Sequence, residues 1–498
     1  MTDTAPDAPQ ANAPQASSPP LGPYRADAAT TGLNAPSGSA TVLQADVLVI
    51  GGGPAGTTAA TLLARKGWKV LLLEKDAHPR FHIGESLLPM NLPILERLGV
   101  LEQVKAIGTF KPGAEFPIVN DDGTPMAPDH DGADQYNTFR FERALNPAFG
   151  YAYQVKREEF DQLLFRNAQA NGVDARERHK VERVEFGADG RPSIAHARDA
   201  EGHAFSVRAR YIVDASGRDT FFGNQLKLKK KNPLHQSAAI FSHFTGVERR
   251  PGEAAGNITV QRFAHGWMWL IPLRDGVMSV GAVCFPEYLK QRRGDNEAFL
   301  MKTLASEPQV KKRMQGATRI APVHVTGNYS YTCERMHGPG WVMVGDAYAF
   351  VDPVFSSGVY LGMNSAEQAA QVVDGVLRDP SREAALQRGM DTRLKRGLKH
   401  FQWFIYRFTT PVMRHLFNHP RNVWQVEQAV ISMLAGDVFD NPEVLKRLRL
   451  FRLIYTVTAI RMAPLALRGW LRRRRQVGVD VGLHGAADTL QPGPERTS

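Results

Sequence analysis

Cysteine is scarce in this sequence: Cys284 and Cys333 are the only two among 498 residues. Two cysteines are too few for a disulfide scaffold or a cysteine-based zinc site, and they fit a reducing cytosol. The chain also lacks a run of 18 uncharged apolar residues, so we predict no transmembrane helix. Its 43% hydrophobic and 22% charged residues are typical of a globular protein, and the length predicts two or more lobes.

Core-forming residues are rare at both ends of the chain. Residues 1–42 contain 10 Ala and 7 Pro, with Tyr24 as the only aromatic residue. Such a segment cannot bury enough apolar surface to offset its ordering entropy, and it lacks the basic start and apolar stretch of a signal peptide. We therefore predict a disordered leader at 1–42 and a disordered Gly/Pro-rich tail at 477–498.

Acidic residues are few between 391 and 476, where 17 Lys and Arg face 5 Asp and Glu. This surplus exceeds the net charge of the whole chain, which is +11, so the remainder is close to neutral. Aromatic residues at helical spacing predict a basic helical C-terminal lobe at 396–476. Its charge fits either a solvated helix end or an anionic partner, such as a membrane surface or an acidic acyl carrier protein. No nucleic-acid-binding module is recognisable, so nucleic acid is not expected.

A dinucleotide-binding turn follows the first apolar strand, Asp46–Ile50. Gly51, Gly53 and Gly56 have the GxGxxG spacing, and a helical pattern continues through Ala64. The first glycine permits the tight turn, the second lets a pyrophosphate approach, and the third lets helix and strand pack closely. The helix N-terminus supplies N–H donors to the phosphates.

A second strand completes this context, because Lys69–Leu73 ends in an acidic residue about 20 residues after the turn. An acid at that place is expected to bind a ribose hydroxyl. The alternative interpretation is a Gly-rich turn without a ligand. The predicted cofactor contacts in this region are Gly51, Gly53, Ala55, Gly56, Glu74 and Lys75.

Two later segments favour FAD over NAD. Tyr211–Gly217 reads as an apolar strand ending in a small-residue turn, and Trp341–Ala347 as a strand ending in Gly-Asp. With the fingerprint, these segments resemble the FAD-binding domain of the aromatic hydroxylase and halogenase superfamily. The resemblance implies that Asp346, after Gly345, holds the flavin ribityl chain.

A further segment, Val155–Leu163, resembles the second cofactor segment of that superfamily. This resemblance makes Arg157 an expected neighbour of FAD. The alternative is an ordinary charge at the start of a helix.

Three further segments resemble flavin-dependent halogenases in particular. Trp267–Pro272 reads WMWLIP and matches their WxWxIP signature, in which Trp267 and Trp269 point the same way from a strand. In the family these tryptophans keep the organic substrate away from the flavin. Gly84–Pro89 reads GESLLP, as in halogenases of phenols and pyrroles, and Phe110–Phe116 resembles the segment with the catalytic lysine, here Lys111. The alternatives are a core strand with two aromatics and a surface lysine.

A fourth segment, Asp352–Gly358, resembles the halogenase turn whose backbone N–H groups bind halide. We assign Ser357 and Gly358 to chloride or bromide; the alternative is helix capping with flavin contact alone. Tryptophan halogenases carry a glutamate just before this serine, whereas this sequence has Phe355 near that place. The apolar side chain argues against free tryptophan as substrate and favours a phenolic or pyrrolic ring.

The resemblance implies an α/β enzyme: a doubly wound FAD-binding domain with an inserted mixed or antiparallel substrate sheet, interleaved over 43–395, before the helical lobe. In this family, reduced FAD from a separate flavin reductase and O2 turn halide into hypohalous acid, which the lysine presents to an electron-rich ring. We therefore predict a cytoplasmic halogenase of secondary metabolism, such as antibiotic or pigment biosynthesis, with no metal site. It would lie free or at the membrane periphery, and its substrate would be free or carrier-bound. The alternatives are a flavin monooxygenase, a geranylgeranyl-reductase-like enzyme, and a non-catalytic flavoprotein.

Overall fold

A computed structural model describes residues 42–120, 135–232, 235–327 and 330–477, apart from the side chains of 473 and 477. The predicted tail from 478 onward and the predicted leader up to residue 41 lie outside the described residues. The described chain is a mixed α/β structure, as the sequence predicts.

The strands, numbered in chain order, are β1 (Val42–Ile50), β2 (Val70–Leu73), β3 (Thr109–Lys111), β4 (Gly113–Pro117), β5 (Tyr136–Arg140), β6 (Ala152–Gln154), β7 (Asp174–Arg176), β8 (Lys180–Phe186), β9 (Pro192–Arg198), β10 (Ala204–Asp214), β11 (Lys229–Lys231), β12 (Ala238–Thr245), β13 (Ile258–Phe263), β14 (Gly266–Pro272), β15 (Met278–Cys284), β16 (Thr318–Arg319), β17 (His324–Thr326), β18 (Tyr331–Cys333), β19 (His337–Gly338), β20 (Trp341–Met343) and β21 (Ala349–Phe350).

The α-helices, numbered in the same way, are α1 (Pro54–Ala64), α2 (Leu92–Arg97), α3 (Leu101–Ile107), α4 (Arg157–Ala170), α5 (Phe221–Gln225), α6 (Pro286–Leu289), α7 (Asn296–Leu304), α8 (Pro308–Arg313), α9 (Ser357–Arg378), α10 (Glu383–Ile405), α11 (Pro411–Asn418), α12 (Val426–Ala435), α13 (Pro442–Arg461) and α14 (Ala463–Val477).

A parallel sheet forms the cofactor half of the molecule. Its neighbouring strands run in the order β20, β10, β1, β2, β7, and all of these pairs are parallel. The apolar runs of β1 and β2 are buried on both faces, as expected for parallel strands covered by helices. The carboxyl ends of β1, β2, β10 and β20 therefore meet at one edge, where ligands of open α/β sheets bind.

A second, mixed sheet forms the other half. Its strands run in the order β16, β12, β15, β14, β13, β4, β5; β4 and β13 are parallel, and the other pairs are antiparallel. The WxWxIP strand is β14, which lies between β13 and β15 and is buried along its whole length. The sequence thus predicts both sheets, while strand order comes only from the structure.

Helices α10 to α14 form the C-terminal part. The predicted boundary between residues 395 and 396 falls inside one continuous helix, α10. Among the described residues, no single helix is long and apolar enough to cross a membrane; α13 and α14, bent by 96° at their junction, pass that test only as a pair and only by length and composition.

The contact of α1 with β1 depends on Gly56. A Cβ atom at Gly56 would lie 1.9 Å from the carbonyl oxygen of Gly51, which is backbone and cannot move aside cheaply. We expect Gly56→Ala to lower the free energy of unfolding by about 3 kcal/mol, as overpacking does. Gly389→Ala on α10 is the matched control, because no atom lies within 4 Å of its added Cβ; it should stabilise the helix slightly. Equal urea midpoints for the two variants would contradict this account.

Candidate active site

A cavity of about 2420 Å³ opens at the carboxyl edge of the parallel sheet. Pockets for drug-sized ligands enclose about 300–1,000 Å³, so this one has room for a dinucleotide and more. Both sheets contribute to its wall. Among the predicted site residues, the lining includes Gly51, Gly53, Ala55, Glu74, Lys75, Arg157, Trp267, Trp269, Gly345, Asp346 and Gly358.

The three fingerprint glycines serve three different purposes. Gly51 has φ +104°, a conformation that favours glycine, and Gly56 allows the helix to touch the turn. Gly53 has an ordinary φ of −74°, and a Cβ there would meet no atom within 4 Å. Nothing in the protein itself requires glycine at 53, so the missing side chain leaves space for a ligand at the N-terminus of α1. This is the arrangement that a pyrophosphate needs.

Glu74 lies at the end of β2 beside that turn and is buried. Its Oε2 accepts a hydrogen bond of 2.6 Å from the Gly52 N–H, and its Oε1 accepts one of 2.9 Å from the Asp76 N–H. The carboxylate is therefore fixed at the cavity wall and retains lone pairs for ribose hydroxyls. Lys75 forms an ion pair with Asp219 at the edge of the cavity.

Asp346 is half-buried in the cavity wall. It follows Gly345, whose φ is +55°, in a turn. Burial raises the pKa of Asp346 to about 6, and the guanidinium groups of Arg218 and Arg157 oppose this rise. Its carboxyl group makes no hydrogen bond to the other described residues and faces the cavity, so it can accept the hydroxyl groups of a bound polyol chain. Asp346 and the open cradle at Gly53 together fit FAD.

Arg157 is held firmly, because its Nε and Nη2 donate to both carboxylate oxygens of Asp161 at 2.7 and 2.8 Å. Its Nη1 donates to the carbonyl oxygen of Ile83. A Cβ at Gly84 would lie 2.9 Å from the same Nη1, so this guanidinium also shapes the start of the GESLLP segment. Arg157 thus lines the cavity and positions a second wall segment.

The two tryptophans of β14 are buried in contact with each other, with ring centroids 5.7 Å apart. Trp267 Nε1 donates to Asp352 Oδ1 at 3.1 Å, and Trp269 Nε1 donates to Ser279 Oγ at 3.1 Å. Asp352 also contacts His235 Nε2 through Oδ2, at 3.2 Å. Both indole rings are therefore fixed where the second, mixed sheet faces the cavity.

Lys111 is 1% exposed, whereas its neighbour Phe110 is 54% exposed. The Lys111 ammonium donates to Ser86 Oγ and to the Leu87 carbonyl oxygen, both at 2.8 Å, and lies 5.2 Å from the centroid of the Phe141 ring. Burial lowers the pKa of Lys111 to about 7. Lys111 itself does not line the cavity, but Ser86, to which it donates a hydrogen bond, does.

The predicted halide turn lies at the start of α9. Ser356 has φ +57° and precedes the first helical residue, Ser357, which is buried; Ser356 and Gly358 line the cavity. The positive end of a 22-residue helix therefore faces the cavity. Phe355 is buried with its ring centroid 5.3 Å from that of Phe408.

Sequence reasoning missed a buried ion pair in the cavity wall. His243 Nε2 lies 2.8 Å from Glu85 Oε1. Burial alone would lower the pKa of His243, but the Glu85 carboxylate outweighs this effect and raises it. Glu85 lies within the GESLLP segment, whereas His243 has no motif around it and reaches the cavity only through strand pairing of β12.

Comparison with known proteins agrees with this geometry. A family model described as an FAD binding domain matches residues 44–403. A tryptophan 2-halogenase from Chondromyces crocatus is 37% identical over 66% of this chain and 61% of its own length. A 1H-pyrrole-2-carbonyl-[peptidyl-carrier protein] brominase from Pseudoalteromonas luteoviolacea is 32% identical over 66% of this chain and 78% of its own. The solved structure of a myxobacterial chondrochloren halogenase is 31% identical, with a TM-score of 0.67 over 82% of this chain and 96% of that one.

This chain belongs to the flavin-dependent halogenases. The family similarity confirms the predicted class of FAD enzyme and the α/β fold. The individual roles of the residues in this halogenase stay predictions, as do its substrate and halide.

Gly53→Val tests the cofactor cradle. The branched side chain would occupy the space left at the N-terminus of α1, so we expect FAD affinity to fall at least tenfold, a cost of about 1.4 kcal/mol. The urea midpoint without cofactor should change little, because the added Cβ meets no protein atom within 4 Å. Fluorescence titration with FAD is the measurement, and unchanged affinity would contradict the assignment.

Proposed function

We propose that this halogenase places chloride or bromide on a phenolic or pyrrolic ring, through hypohalous acid and Lys111. The observation that carries the proposal is the buried Lys111 ammonium, held by Ser86 and Leu87 behind the cavity wall. A pKa lowered to about 7 gives both the ammonium and the amine form near neutral pH. The ammonium can donate a hydrogen bond to an oxidant, and the amine can accept the halogen.

The reaction balances as follows. Reduced FAD, which Gly53, Glu74 and Asp346 would hold, would activate O2 so that halide and a proton give hypohalous acid and water, with oxidised FAD as the other product. The electrophilic halogen then forms a bond to a ring carbon, the ring loses its proton, and the hydroxyl of the oxidant leaves as water. Reduced FAD would come from a separate reductase.

The protein's own residues would fix where these steps occur. Ser357 and Gly358, in the first turn of α9, offer N–H groups and a positive helix end to the halide. Trp267 and Trp269 close the substrate sheet against the cavity, so that oxidant and ring meet beyond the tryptophans, near Lys111.

The substrate class follows from the polarity of the surroundings. Phe355 and Phe408 form a buried apolar contact at the predicted halide turn, beside which a free amino-acid ammonium would lose solvation without compensation. A pyrrole on a peptidyl carrier protein is the substrate named for one relative, and a carrier-bound ring is therefore a second form to test. The tryptophan 2-halogenase among the relatives makes free tryptophan the competing substrate.

Lys111→Ala should abolish halogenation while flavin reoxidation and peroxide release continue. We expect the loss to exceed tenfold, a barrier increase above about 1.4 kcal/mol. Lys105→Ala is the matched control, because that side chain is 61% exposed on α3. The assay supplies a flavin reductase, bromide or chloride, and phenol, pyrrole, carrier-bound and tryptophan substrates, read by product mass.

Each other outcome identifies an alternative. Hydroxylated products without halide would indicate a monooxygenase, and reduction of an isoprenoid double bond would indicate a reductase. Halogenated tryptophan alone would overturn the phenolic or pyrrolic assignment.

The lowered pKa of Lys111 also predicts a pH dependence of stability. The ordinary value is 10.5, so between about pH 7 and 10.5 the unfolded chain binds more protons at this site than the folded one. The free energy of unfolding must then rise with pH through this window. Lys111→Met lacks this contribution, so the stability of the wild type relative to the variant should increase from pH 7 to pH 9 in urea titrations. A constant difference would contradict the lowered pKa.

A further inference from the structure

Arg262, on β13, is a buried cation with an unusual environment. It is 6% exposed, and its Nε and Nη2 groups make no hydrogen bond within the described part of the chain. The guanidinium lies against two aromatic rings, with its central carbon 4.4 Å from the Phe408 centroid and 5.3 Å from the Phe417 centroid. Its edge is thus the part that remains without a partner.

That edge has a definite chemistry. Nε–H and Nη2–H lie in the guanidinium plane and point in parallel from one edge of the group, and this pair of donors binds both oxygens of a carboxylate or phosphate. An uncompensated buried charge is costly, and such groups in native proteins call for an explanation. Burial, and the neighbouring Arg414, lower the pKa of Arg262 to about 9, so the group is still a cation at neutral pH.

The position of Arg262 relates it to the halogenase site. In the register of β13 and β14, Arg262 lies directly opposite Trp267 and therefore projects from the same face of the sheet. The Phe408 ring that lies against Arg262 also contacts Phe355, in the predicted halide turn.

We propose that Arg262 binds an oxyanion of the substrate, either an aromatic carboxylate or a phosphate of a carrier-borne arm. This proposal rests on the proposed halogenation, because it takes the bound anion to be part of the substrate that is halogenated. Anion binding itself can be measured without turnover, so failure of the two proposals is distinguishable.

The first experiment measures stability with anions. Arg262→Met removes a buried charge without a partner, so its melting temperature should be equal to or higher than that of the wild type. Arg313→Met is the matched control: Arg313 is equally buried at 6% but donates to the Glu248 carbonyl oxygen and to Thr259 Oγ1, both at 2.9 Å, so its loss should lower the melting temperature. Benzoate or 4′-phosphopantetheine should raise the melting temperature of the wild type and not that of Arg262→Met.

The probes distinguish the two anions. A shift with benzoate but not with neutral benzamide or with phosphopantetheine indicates a carboxylate, and the reverse indicates the phosphate of a carrier arm. Equal shifts in wild type and Arg262→Met, or destabilisation of Arg262→Met as large as that of Arg313→Met, would overturn the proposal.

A second experiment uses the reaction. Arg262→Lys keeps the charge but loses the paired donors, so KM for a hydroxybenzoate should rise by about 10- to 100-fold, with a smaller effect on kcat. KM for the matching hydroxybenzamide should change little. Parallel loss with both substrates would indicate a merely structural role and contradict the proposal.

A different observation concerns the outer surface of α13 and α14. Of the 12 exposed large hydrophobic side chains among the described residues, six lie on these two helices. On α13 the buried side chains are Val444, Leu448 and Phe451, and the exposed ones lie on the opposite face at helical spacing. The exposed apolar set, which we name the C-terminal apolar rows, is Leu453, Val457 and Ile460 on α13 and Leu467, Trp470 and Leu471 on α14.

Helix α14 faces the body with its other side. A Cβ at Gly469 would lie 2.8 Å from the Pro411 ring, and Gln476 is buried. The charge around the rows is strongly positive, since residues 442–477 contain ten Lys and Arg and one acid, Glu443. The Arg474 guanidinium lies over the Trp470 ring at 4.7 Å, so cation and aromatic face outward together.

We infer that the C-terminal apolar rows bind the surface of an anionic lipid bilayer. Apolar side chains with an interfacial tryptophan, flanked by arginine, suit the headgroup boundary, which accepts both apolar and cationic groups. The rows lie on the exposed faces of α13 and α14. Charge complementarity selects anionic lipid over neutral lipid.

Vesicle sedimentation tests this surface. The full chain should bind phosphatidylglycerol-containing vesicles, bind phosphatidylcholine vesicles weakly, and lose binding as salt rises, since charges are screened over ~8–10 Å at physiological ionic strength. Trp470→Ser with Leu471→Ser, and separately Arg474→Gln with Arg475→Gln, should each weaken binding at least tenfold.

Met301→Ser on α7, another exposed apolar residue, is the control and should leave vesicle binding unchanged. Absence of vesicle binding would overturn the inference. The inference would also be overturned if the two double variants kept vesicle binding and lost only dimerisation or only binding to an acidic carrier protein.

Discussion

The buried carboxylate of Asp352 joins the two halves of the molecule at the cavity, because it links β14 of the mixed sheet to the turn before α9. It accepts the Trp267 indole N–H from the substrate sheet and the Val354 N–H from the turn before α9, and its other oxygen meets His235. Hydrogen bonds to a charged group are worth about 1.5–3 kcal/mol each, and a buried carboxylate without them would be strongly unfavourable. The tryptophan strand and the predicted halide turn are therefore fixed relative to each other.

Two other buried polar contacts extend this arrangement. Lys111 binds Ser86 and Leu87, which attaches the strand bearing the lysine to the GESLLP segment. Arg157 binds Ile83 and Asp161, which attaches the start of that segment to α4 of the cofactor half. Each contact buries an ionisable group at a junction between elements that support the cavity wall.

The two ends of the site differ in polarity and therefore suit different ligands. The cofactor side offers backbone N–H groups, Glu74 and Asp346, which suit phosphates and hydroxyls. The region beyond the tryptophans offers the rings of Phe355, Phe408 and Phe417, with Lys111 and Arg262 as its buried cations. The proposed transfer of an electrophilic halogen would benefit from an oxidant kept in such an apolar region.

The sequence by itself determined the local elements and the cofactor cradle. Gly51, Gly53 and Gly56 lie within a few residues of one another, so spacing suffices to predict the turn that they form, and the same holds for Trp267 and Trp269 on one strand. The resemblance to the halogenase superfamily, rather than spacing, predicted Asp346 and the turn before α9 as ligand-facing positions. The deep burial of Lys111 was not predictable, because it depends on Phe141 and on a segment 25 residues away. Only the tertiary structure decided the pairing of Glu85 with His243 and the buried, unpaired edge of Arg262, since strand order and register place these side chains and neither is encoded by a local pattern.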